Sequence, residues 1–204
     1  MDAKHITLLN EDLAKLKLLL TPLITANLKV RNHSLRCLNL ACGRADESGI
    51  LKEILAPLTP SLQIFGVDIR SRELDIARNR WQSDPHTTYT FLYHDATKLH
   101  LISELDQQCD IIVMRHQNYW NGAITWQKIY DSALDRLREN GILLITSYFD
   151  QEHLQALQAI QQLGASLIIT TQNPQSRILQ EPPIKSVDRH IAIFKKIGNK
   201  LESL

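Results

Sequence analysis

The chain has 204 residues, of which 44% are hydrophobic and 22% are charged. This composition excludes a disordered chain, because apolar side chains spread along the sequence bury enough surface to offset the conformational entropy lost on folding. With 23 basic and 22 acidic residues the formal net charge is +1, so no overall positive field favours a polyanion such as nucleic acid.

The cysteine pattern indicates a reducing compartment. Cys37, Cys42 and Cys109 include no Cys-x-x-Cys spacing, which argues against a disulfide framework and against a zinc site. We therefore expect a cytoplasmic protein without a metal. The most apolar early segment, residues 13–30, is interrupted by three lysines, so neither an export signal nor a membrane span is expected.

The first predicted element is a helix. Leucines from Leu13 to Leu23 recur at helical spacing after Asn10, a candidate N-cap. Pro22 is expected to kink or end this helix, because proline lacks an N–H and its ring clashes with the preceding turn.

Seven short apolar runs are predicted to be β-strands. They cover residues 35–41, 62–67, 89–94, 111–114, 142–146, 167–171 and 191–194. Helices separate most of them, and several are continuous Ile, Leu and Val runs, which is typical of a parallel sheet covered by helices on both faces. Residues 172–189 contain three prolines and no helix, so the last strand is expected to return antiparallel to its predecessor.

Turn residues predict where the helices begin and end. Asp84-Pro85 stops the helix after the second strand, and Asn140-Gly141 ends the long helix before the fifth. Asp150 caps the next helix and Gly164 terminates it. The fold class is therefore α/β, a doubly wound, mostly parallel seven-stranded sheet in one domain, 1–204. We expect a helical segment (1–30), a core (31–197) and a polar tail (198–204).

In open α/β sheets, ligands bind beyond the carboxyl ends of the strands. This rule selects a short set of residues for the chemistry. They lie at positions 39–46, 68–69, 95–96 and 115–120. An aspartate stands at two of these strand ends, Asp68 and Asp95.

Five segments match, in order, the motifs of one known family. They read Arg-Cys-Leu-Asn-Leu-Ala-Cys-Gly at 36–43, Val-Asp-Ile at 67–69, His-Asp-Ala at 94–96, Asp-Ile-Ile-Val at 110–113 and Leu-Arg-Glu-Asn-Gly-Ile-Leu at 137–143. Over residues 30–197 the chain thus resembles the class I S-adenosylmethionine-dependent methyltransferases. The resemblance implies their Rossmann-like fold and S-adenosylmethionine as cofactor.

The resemblance also implies roles for the residues that bind the nucleoside. Asp68 would accept hydrogen bonds from both ribose hydroxyls, and Ile69 would offer an apolar face to the adenine. Asp95 would accept from the adenine amino group, and the backbone N–H of Ala96 would complete recognition of the adenine edge.

A second group would contact the methionyl end of the cofactor. The main chain of Ala41, Cys42 and Gly43 would approach it, since Gly43 lacks a Cβ that would obstruct the approach. Asn39 would hydrogen-bond the ammonium, and the backbone of Arg115 would touch the cofactor.

The first motif departs from the family pattern, which begins with an acidic residue and has three glycines. Asn39, Ala41 and Ala45 stand at three of those four places. A neutral amide makes weaker bonds than a carboxylate, so we expect weaker cofactor binding. Asp46 or Glu47 would replace part of that charge, although capping of the following helix is the simpler explanation for both residues.

Methyl transfer from a sulfonium needs mainly alignment and exclusion of water. A base is needed only for an acceptor that arrives protonated, and His116 is the nearest candidate because histidine titrates near neutral pH. Tyr119 and Trp120 are candidate residues for the acceptor pocket. The fourth strand is followed by no Asn/Asp-Pro-Pro-aromatic segment, which favours a small-molecule acceptor over nucleic acid.

Three alternatives stay open. The missing glycines are compatible with a binding or scaffold protein that kept the fold without turnover. A nicotinamide-dependent oxidoreductase is disfavoured, because Gly43 lacks the companion glycines of G-x-G-x-x-G. An RNA or protein methyltransferase would show a clustered basic face around Arg31, Arg36, Arg44 and Arg70. Neither the acceptor nor the oligomeric state follows from the sequence.

Overall fold

The computed structural model of the protein describes residues 3–29, 34–180 and 184–197. The predicted polar tail and Arg31 lie outside these ranges. Within them, no helix combines the length and apolar character that a membrane crossing needs. The described residues also contain no group of three or more His, Cys, Asp or Glu side chains placed to hold a metal ion.

Five helices and nine strands make up the described chain. The helices are α1 (Ala3–Asn27), α2 (Ser48–Leu55), α3 (Ser71–Arg80), α4 (Ala123–Arg136) and α5 (Asp150–Gln162). The strands are β1 (Leu35–Leu40), β2 (Leu62–Asp68), β3 (Thr87–Tyr93), β4 (Cys109–Met114), β5 (Leu137–Ser147), β6 (Ala165–Gln172), β7 (Ile178–Gln180), β8 (Lys185–Ser186) and β9 (His190–Lys196). Short 3-10 helices fill several of the connections.

Seven strands form one sheet in the order β3-β2-β1-β4-β5-β9-β6. The pairs from β3 to β5 are parallel, whereas β9 is antiparallel to both β5 and β6. The predicted Rossmann-like architecture with an antiparallel last strand is confirmed. Since β1 and β4 are neighbours with crossovers in opposite directions, their carboxyl ends form the crevice where ligands bind in such sheets.

The hydrophobic core lies on both faces of the sheet. One layer joins α4 and α5 to side chains such as Leu38 and Ile112, and the other joins α1 and α2 to side chains such as Cys37 and Ile111. Consecutive residues of β1 and β4 thus face opposite layers, as strand geometry requires. Both strands are fully buried, which explains why most of their residues are apolar.

Of the kink or end predicted at Pro22, the end of the first helix there is wrong, and so is Asn10 as its N-cap. Both residues lie inside α1, which continues to Asn27. Leu16, Leu20 and Ile24 are almost completely buried against the sheet, so packing of this face outweighs the hydrogen bond that Pro22 cannot donate.

Two other boundary predictions are also wrong. Asn140 and Gly141 lie within β5, next to an irregularity in its pairing with β4. A Cβ on Gly141 would lie 2.8 Å from the Asp110 carbonyl oxygen, so this glycine permits a close approach of two strands rather than a helix end. Asp150 makes no capping bond, because its carboxylate pairs with Arg189. Gly164, with φ +87°, does follow the end of α5, as predicted.

The long connection before the last strand is partly ordered as a hairpin. β7 and β8 pair antiparallel inside it, and Arg177 in this segment pairs with Asp12 of α1 at 2.5 Å. The connection therefore lies against the opening helix, and it delivers Asp188 to the carboxyl ends of β4 and β5.

Candidate active site

Three residues of the loop after β1 have the positive φ angles that glycine usually adopts, although only one of the three is a glycine. Ala41, Gly43 and Ala45 have φ angles of +52°, +54° and +52°. The left-handed region costs an alanine roughly 1–2 kcal/mol, and the Cys42 N–H bond to the Val67 carbonyl at 3.2 Å holds the loop against β2. The two alanines therefore adopt the left-handed backbone that glycine adopts at lower cost.

Asp68, at the end of β2, lies directly beside this loop. Its carboxylate accepts from the Gly43 N–H at 2.7 Å, from the Arg70 N–H at 2.9 Å, and from Nε and Nη2 of Arg70 at 2.9 Å each. Burial raises the pKa of Asp68, but these bonds lower it more, and the net pKa is below the ordinary value. Asp68 is thus an ionised, fully bonded acceptor at the predicted ribose position.

Asp95, at the end of β3, acts as a cap in this structure. Its Oδ1 accepts from the Thr97 N–H at 2.9 Å and the Thr97 hydroxyl at 2.8 Å, at the start of the 3-10 helix Ala96–Leu101. These bonds hold the pKa of Asp95 below its ordinary value. Both end on Oδ1, so Oδ2 is the oxygen available to a ligand.

Two cavities meet at these strand ends. The first, about 430 Å³ and mainly apolar, is the apolar cavity; its lining includes Val67, Asp68, Ile69, Asp95, Ala96 and Trp126. The second, about 460 Å³, is the charged cavity; its lining includes Cys42, Gly43, Arg44, Asp46, Glu47 and Tyr148. Ala41, Arg70 and His116 line both. The volume of the two cavities together is within the range found for cofactor-binding sites.

Ile69 lies at the rim of the apolar cavity, and its side chain is 66% exposed. The sheet does not need it for packing. An exposed aliphatic side chain beside a cavity of this kind is suited to cover one face of a planar ligand.

A buried ion network lies below the charged cavity. Arg115, after β4, donates from Nε and Nη2 to the carboxylate of Asp188, the closest contact being 2.8 Å. Arg115 Nη1 also lies 3.5 Å from Oε2 of Glu47. The sequence suggested only a backbone role for Arg115 and did not suggest Asp188 at all. Seventy-three positions separate Arg115 from Asp188. The one indication of this pair in the sequence was an arginine at the end of a buried strand, where it needs a counter-ion.

His116 has its ring between two polar partners. Nε2 lies 2.9 Å from Oδ1 of Asp188, and Nδ1 lies 2.9 Å from the hydroxyl of Tyr148, whose ring stacks on the imidazole. His116 and Asp188 both have positive φ angles, +56° and +47°. Strain at two residues in contact is common at functional sites. Burial raises the pKa of Tyr148, which keeps this hydroxyl protonated.

Asn39 lies fully buried at the end of β1, and its Nδ2 donates to Oε1 of Glu47. Glu47 precedes α2 at the N-cap position but makes no side-chain capping bond. The capping explanation for Glu47 is therefore wrong. The other candidate, Asp46, pairs with Arg80 of α3.

The two aromatic candidates for the acceptor pocket separate in the structure. Tyr119 is buried, stacks on Tyr130, and its hydroxyl accepts from Gln127 at 3.1 Å. Trp120 is 60% exposed and lines a third cavity of about 460 Å³, here called the aromatic cavity. Its lining includes Asn118, Trp120, Phe149, Asp150 and Ile184. Asn118 also lines the apolar cavity.

The arginines expected to form a basic face have other contacts. Arg36 donates to Gln63 and lies over the ring of Phe65. Arg44 pairs with Glu73 at 2.6 Å, and Arg70 pairs with Asp68. Each described member of this group is bonded within the protein, although the Arg70 side chain is 60% exposed.

The family model described as a methyltransferase domain matches residues 31–183. The chain belongs to the class I S-adenosylmethionine-dependent methyltransferases. This methyltransferase uses S-adenosylmethionine as its cofactor. No protein with a curated description matches its sequence.

Several solved structures share the fold. A methyltransferase from Clostridium acetobutylicum, named as S-adenosylmethionine-dependent, matches with a TM-score of 0.66 and 12% identity over 90% of this chain and 91% of that chain. The N-methyltransferase NodS from Bradyrhizobium japonicum matches with a TM-score of 0.60 and 14% identity, over 92% of this chain and 96% of that chain. An rRNA methylase from Streptococcus thermophilus matches with a TM-score of 0.55 and 15% identity, over 81% of this chain and 88% of that chain. At these identities the likeness extends to the fold alone.

The residues present fit the cofactor. The apolar cavity offers one carboxylate at each of two strand ends for a nucleoside, and the charged cavity offers polar groups for a zwitterionic amino acid. One contact must change: the Arg70 guanidinium holds the two oxygens of Asp68 that ribose hydroxyls would use. Because the Arg70 side chain is 60% exposed, it has room to move away.

Proposed function

We propose that this methyltransferase acts on a small-molecule acceptor by in-line methyl transfer. The observation that carries the proposal is the set of cavities of small-molecule size at the strand ends, beside which Arg44 pairs with Glu73. Binding to RNA depends on cationic side chains that reach phosphates, and the internal contacts of Arg36 and Arg44 occupy these two side chains.

Cofactor binding is assigned to the strand-end residues. Asp68 would accept from the ribose hydroxyls once Arg70 has left, and Ile69 would cover the adenine. Asp95 Oδ2 and the N–H of Ala96 would bond the adenine edge. The cofactor supplies a methyl group on a sulfonium, whose neutral leaving group needs no acid catalyst. The protein's task is then to orient the acceptor and exclude water.

The methionyl end is assigned to the loop after β1. The backbone of Ala41, Cys42 and Gly43 would approach it, with Asn39 and Arg115 nearby at the ends of β1 and β4. Ala41, Cys42 and Gly43 all line the charged cavity, so their main chain is close to a ligand bound there.

His116 is proposed as the base for an acceptor that arrives as a hydroxyl or an ammonium. Nδ1 would take the acceptor proton in place of its contact with the Tyr148 hydroxyl, which lies 2.9 Å away. The carboxylate of Asp188, whose Oδ1 lies 2.9 Å from Nε2, would stabilise the imidazolium. Because the ring lines both joined cavities, the base would lie at their junction.

The aromatic cavity is proposed to hold the body of the acceptor. Trp120, Phe149 and Ile184 give it an apolar wall, and Asn118 connects it to the apolar cavity. Tyr119 was predicted beside Trp120, but its buried contacts with Tyr130 and Gln127 give it a packing role instead. Acceptors with an aromatic or aliphatic body are therefore the first to test.

The test is transfer of a labelled methyl group from S-adenosylmethionine to a panel of phenols, aromatic amines and hydroxy acids, with total RNA as a parallel acceptor. Label on a small molecule supports the proposal, and label on RNA alone overturns it. His116→Ala should lose turnover on the hydroxyl acceptors while its affinity for S-adenosylhomocysteine stays unchanged. Normal turnover would remove His116 from the mechanism.

Asp68→Ala tests the cofactor assignment separately. Hydrogen bonds to a charged group contribute about 1.5–3 kcal/mol, so the affinity for S-adenosylhomocysteine measured by calorimetry should fall by roughly tenfold to more than a hundredfold. An unchanged affinity would reject the ribose role of Asp68.

A further inference from the structure

Each carboxylate around the charged cavity, except one, forms a close ion pair with an arginine of its own. The matched pairs are Asp68 with Arg70, Glu73 with Arg44, Asp46 with Arg80, and Asp188 with Arg115. Glu47 is the exception among the described residues that line this cavity. Its nearest cation is Arg115, at 3.5 Å, and two of the three guanidinium nitrogens of Arg115 already bond Asp188.

Glu47, Arg115 and Asp188 therefore form a buried cluster of two carboxylates and one arginine, in which His116 is a further partner of Asp188. Their side chains are 7%, 8% and 1% exposed. An excess negative charge in so dry a place is unfavourable unless a cation or several donors approach it. Because Glu47 also lines the charged cavity, that cavity is where such a cation has access.

Asn39 provides a second, independent observation. Its Nδ2 donates to Glu47, while its Oδ1 is fully buried and has no hydrogen-bond partner in the structure. Buried amide oxygens without a partner are rare, because the lost hydration costs free energy. The end of β1 thus presents a carboxylate and a neighbouring unpartnered acceptor, a pair suited to a group that carries a positive charge and several N–H donors.

We propose that Glu47, oriented by Asn39, is the counter-ion for the α-ammonium of the cofactor's amino-acid portion. An ammonium has three N–H donors and no acceptor, and so it complements both the charge of Glu47 and the Oδ1 of Asn39. The carboxylate that is lacking at position 39 is in this chain supplied from position 47, at the beginning of α2. The inference rests on the proposed placement of the methionyl end in the charged cavity.

Two probes separate this role from a general effect on binding. S-Adenosylhomocysteine carries the amino-acid portion, whereas 5′-methylthioadenosine has the same nucleoside and sulfur without it. In the intact protein, Glu47→Gln should weaken S-adenosylhomocysteine binding at least tenfold by calorimetry and change methylthioadenosine binding less than twofold. Asp46→Asn, which removes a neighbouring carboxylate paired with Arg80, should change neither affinity by more than twofold.

A charge-relocation variant completes the test. Asn39→Asp combined with Glu47→Gln restores a carboxylate at the end of β1 and should recover most of the lost S-adenosylhomocysteine affinity. Equal weakening of both probes by Glu47→Gln, or no weakening of either, overturns the role of Glu47. If the unaltered protein binds methylthioadenosine but not S-adenosylhomocysteine, the inference also fails. Binding of neither probe rejects the cofactor placement itself, which is a different failure.

Discussion

The guanidinium of Arg70 holds the carboxylate of Asp68 through two parallel hydrogen bonds, from Nε and Nη2, each 2.9 Å long. Asp68 is buried, and the Arg70 side chain reaches it from solvent across the loop after β1. Arg70 Nη2 lies only 2.9 Å from the position that a Cβ on Gly43 would occupy. Arg70 and a bound ribose would therefore compete for the same two oxygens.

Replacing Arg70 by Gln is expected to tighten cofactor binding. An ion pair with one exposed partner contributes only about 0.2–1 kcal/mol, so the Kd for S-adenosylhomocysteine should fall by about 1.4- to fivefold in calorimetric titrations. Arg44→Gln is the matched control, because Arg44 lines the same cavity but pairs with Glu73. Weaker binding in the Arg70 variant would identify the arginine as a cofactor ligand instead of a competitor.

Asp188→Asn should destabilise the fold strongly. Burial raises the pKa of Asp188, but Arg115 and His116 lower it well below the ordinary range, so the carboxylate is ionised in the folded protein. Removing one partner of a buried ion pair costs about 3–5 kcal/mol, to be measured by urea unfolding at neutral pH. The control is Asp150→Asn, since the Asp150 side chain is 60% exposed; a comparable loss there would show that burial does not set the difference.

His153 predicts a pH dependence of stability. Burial, with a smaller effect of His190, lowers its pKa to about 4, against about 6.5 in an unfolded chain. The unfolded state therefore binds a proton first as the pH falls, and stability is lost between these two values. Linkage gives a loss of about 2 kcal/mol between pH 7.5 and pH 5.

Urea unfolding of the wild type and of His153→Gln at these two pH values measures this loss. The variant should lack about 2 kcal/mol of the wild-type pH dependence. Gln can still bond Ser147 and Thr170, the two hydroxyl partners of the imidazole. Identical pH dependence in both proteins would mean that His153 does not titrate as the burial indicates.

Pro22→Ala should stabilise the protein. Proline in a helix interior is roughly 3 kcal/mol less favourable than alanine, and the greater freedom of the unfolded chain offsets about 1 kcal/mol of that difference. We expect a gain of about 2 kcal/mol in the free energy of unfolding. Pro57→Ala is the control, because Pro57 begins a short 3-10 turn where no N–H is required; an equal gain there would count against a continuous α1.

Most of the sheet was predictable because its signals are local. β1 and β4 are buried on both faces, so most of their residues are apolar even though each strand contains polar or charged residues. Asp68 and Asp95 were found because they stand at or just after the ends of β2 and β3. The same approach failed at Asn140-Gly141 and at Pro22, because close strand packing and a buried helix face outweighed the usual meaning of those residues.

The candidate site was less predictable where two distant segments meet. Asp188 lies in a connection with no periodic pattern, and nothing near it in sequence indicates that it pairs with Arg115 and His116. Glu47 stands where a helix cap is expected. Only the structure shows that its carboxylate makes no capping bond and accepts a hydrogen bond from Asn39 instead. Arg70 follows Asp68 by two positions, yet its bidentate pairing depends on the direction in which α3 leaves the sheet.

By itself the sequence determined the alternation of strands and helices, the antiparallel last strand and the residues at each strand end. These features depend on the spacing of apolar residues and on turn-forming residues, which involve only a few neighbouring positions. Tertiary structure alone decided which buried charges meet. Arg115, Asp188 and Glu47 become partners only when β4, β9 and α2 are brought to one edge of the sheet. Charge balance in a dry interior depends on distances in space, and no local sequence pattern records them.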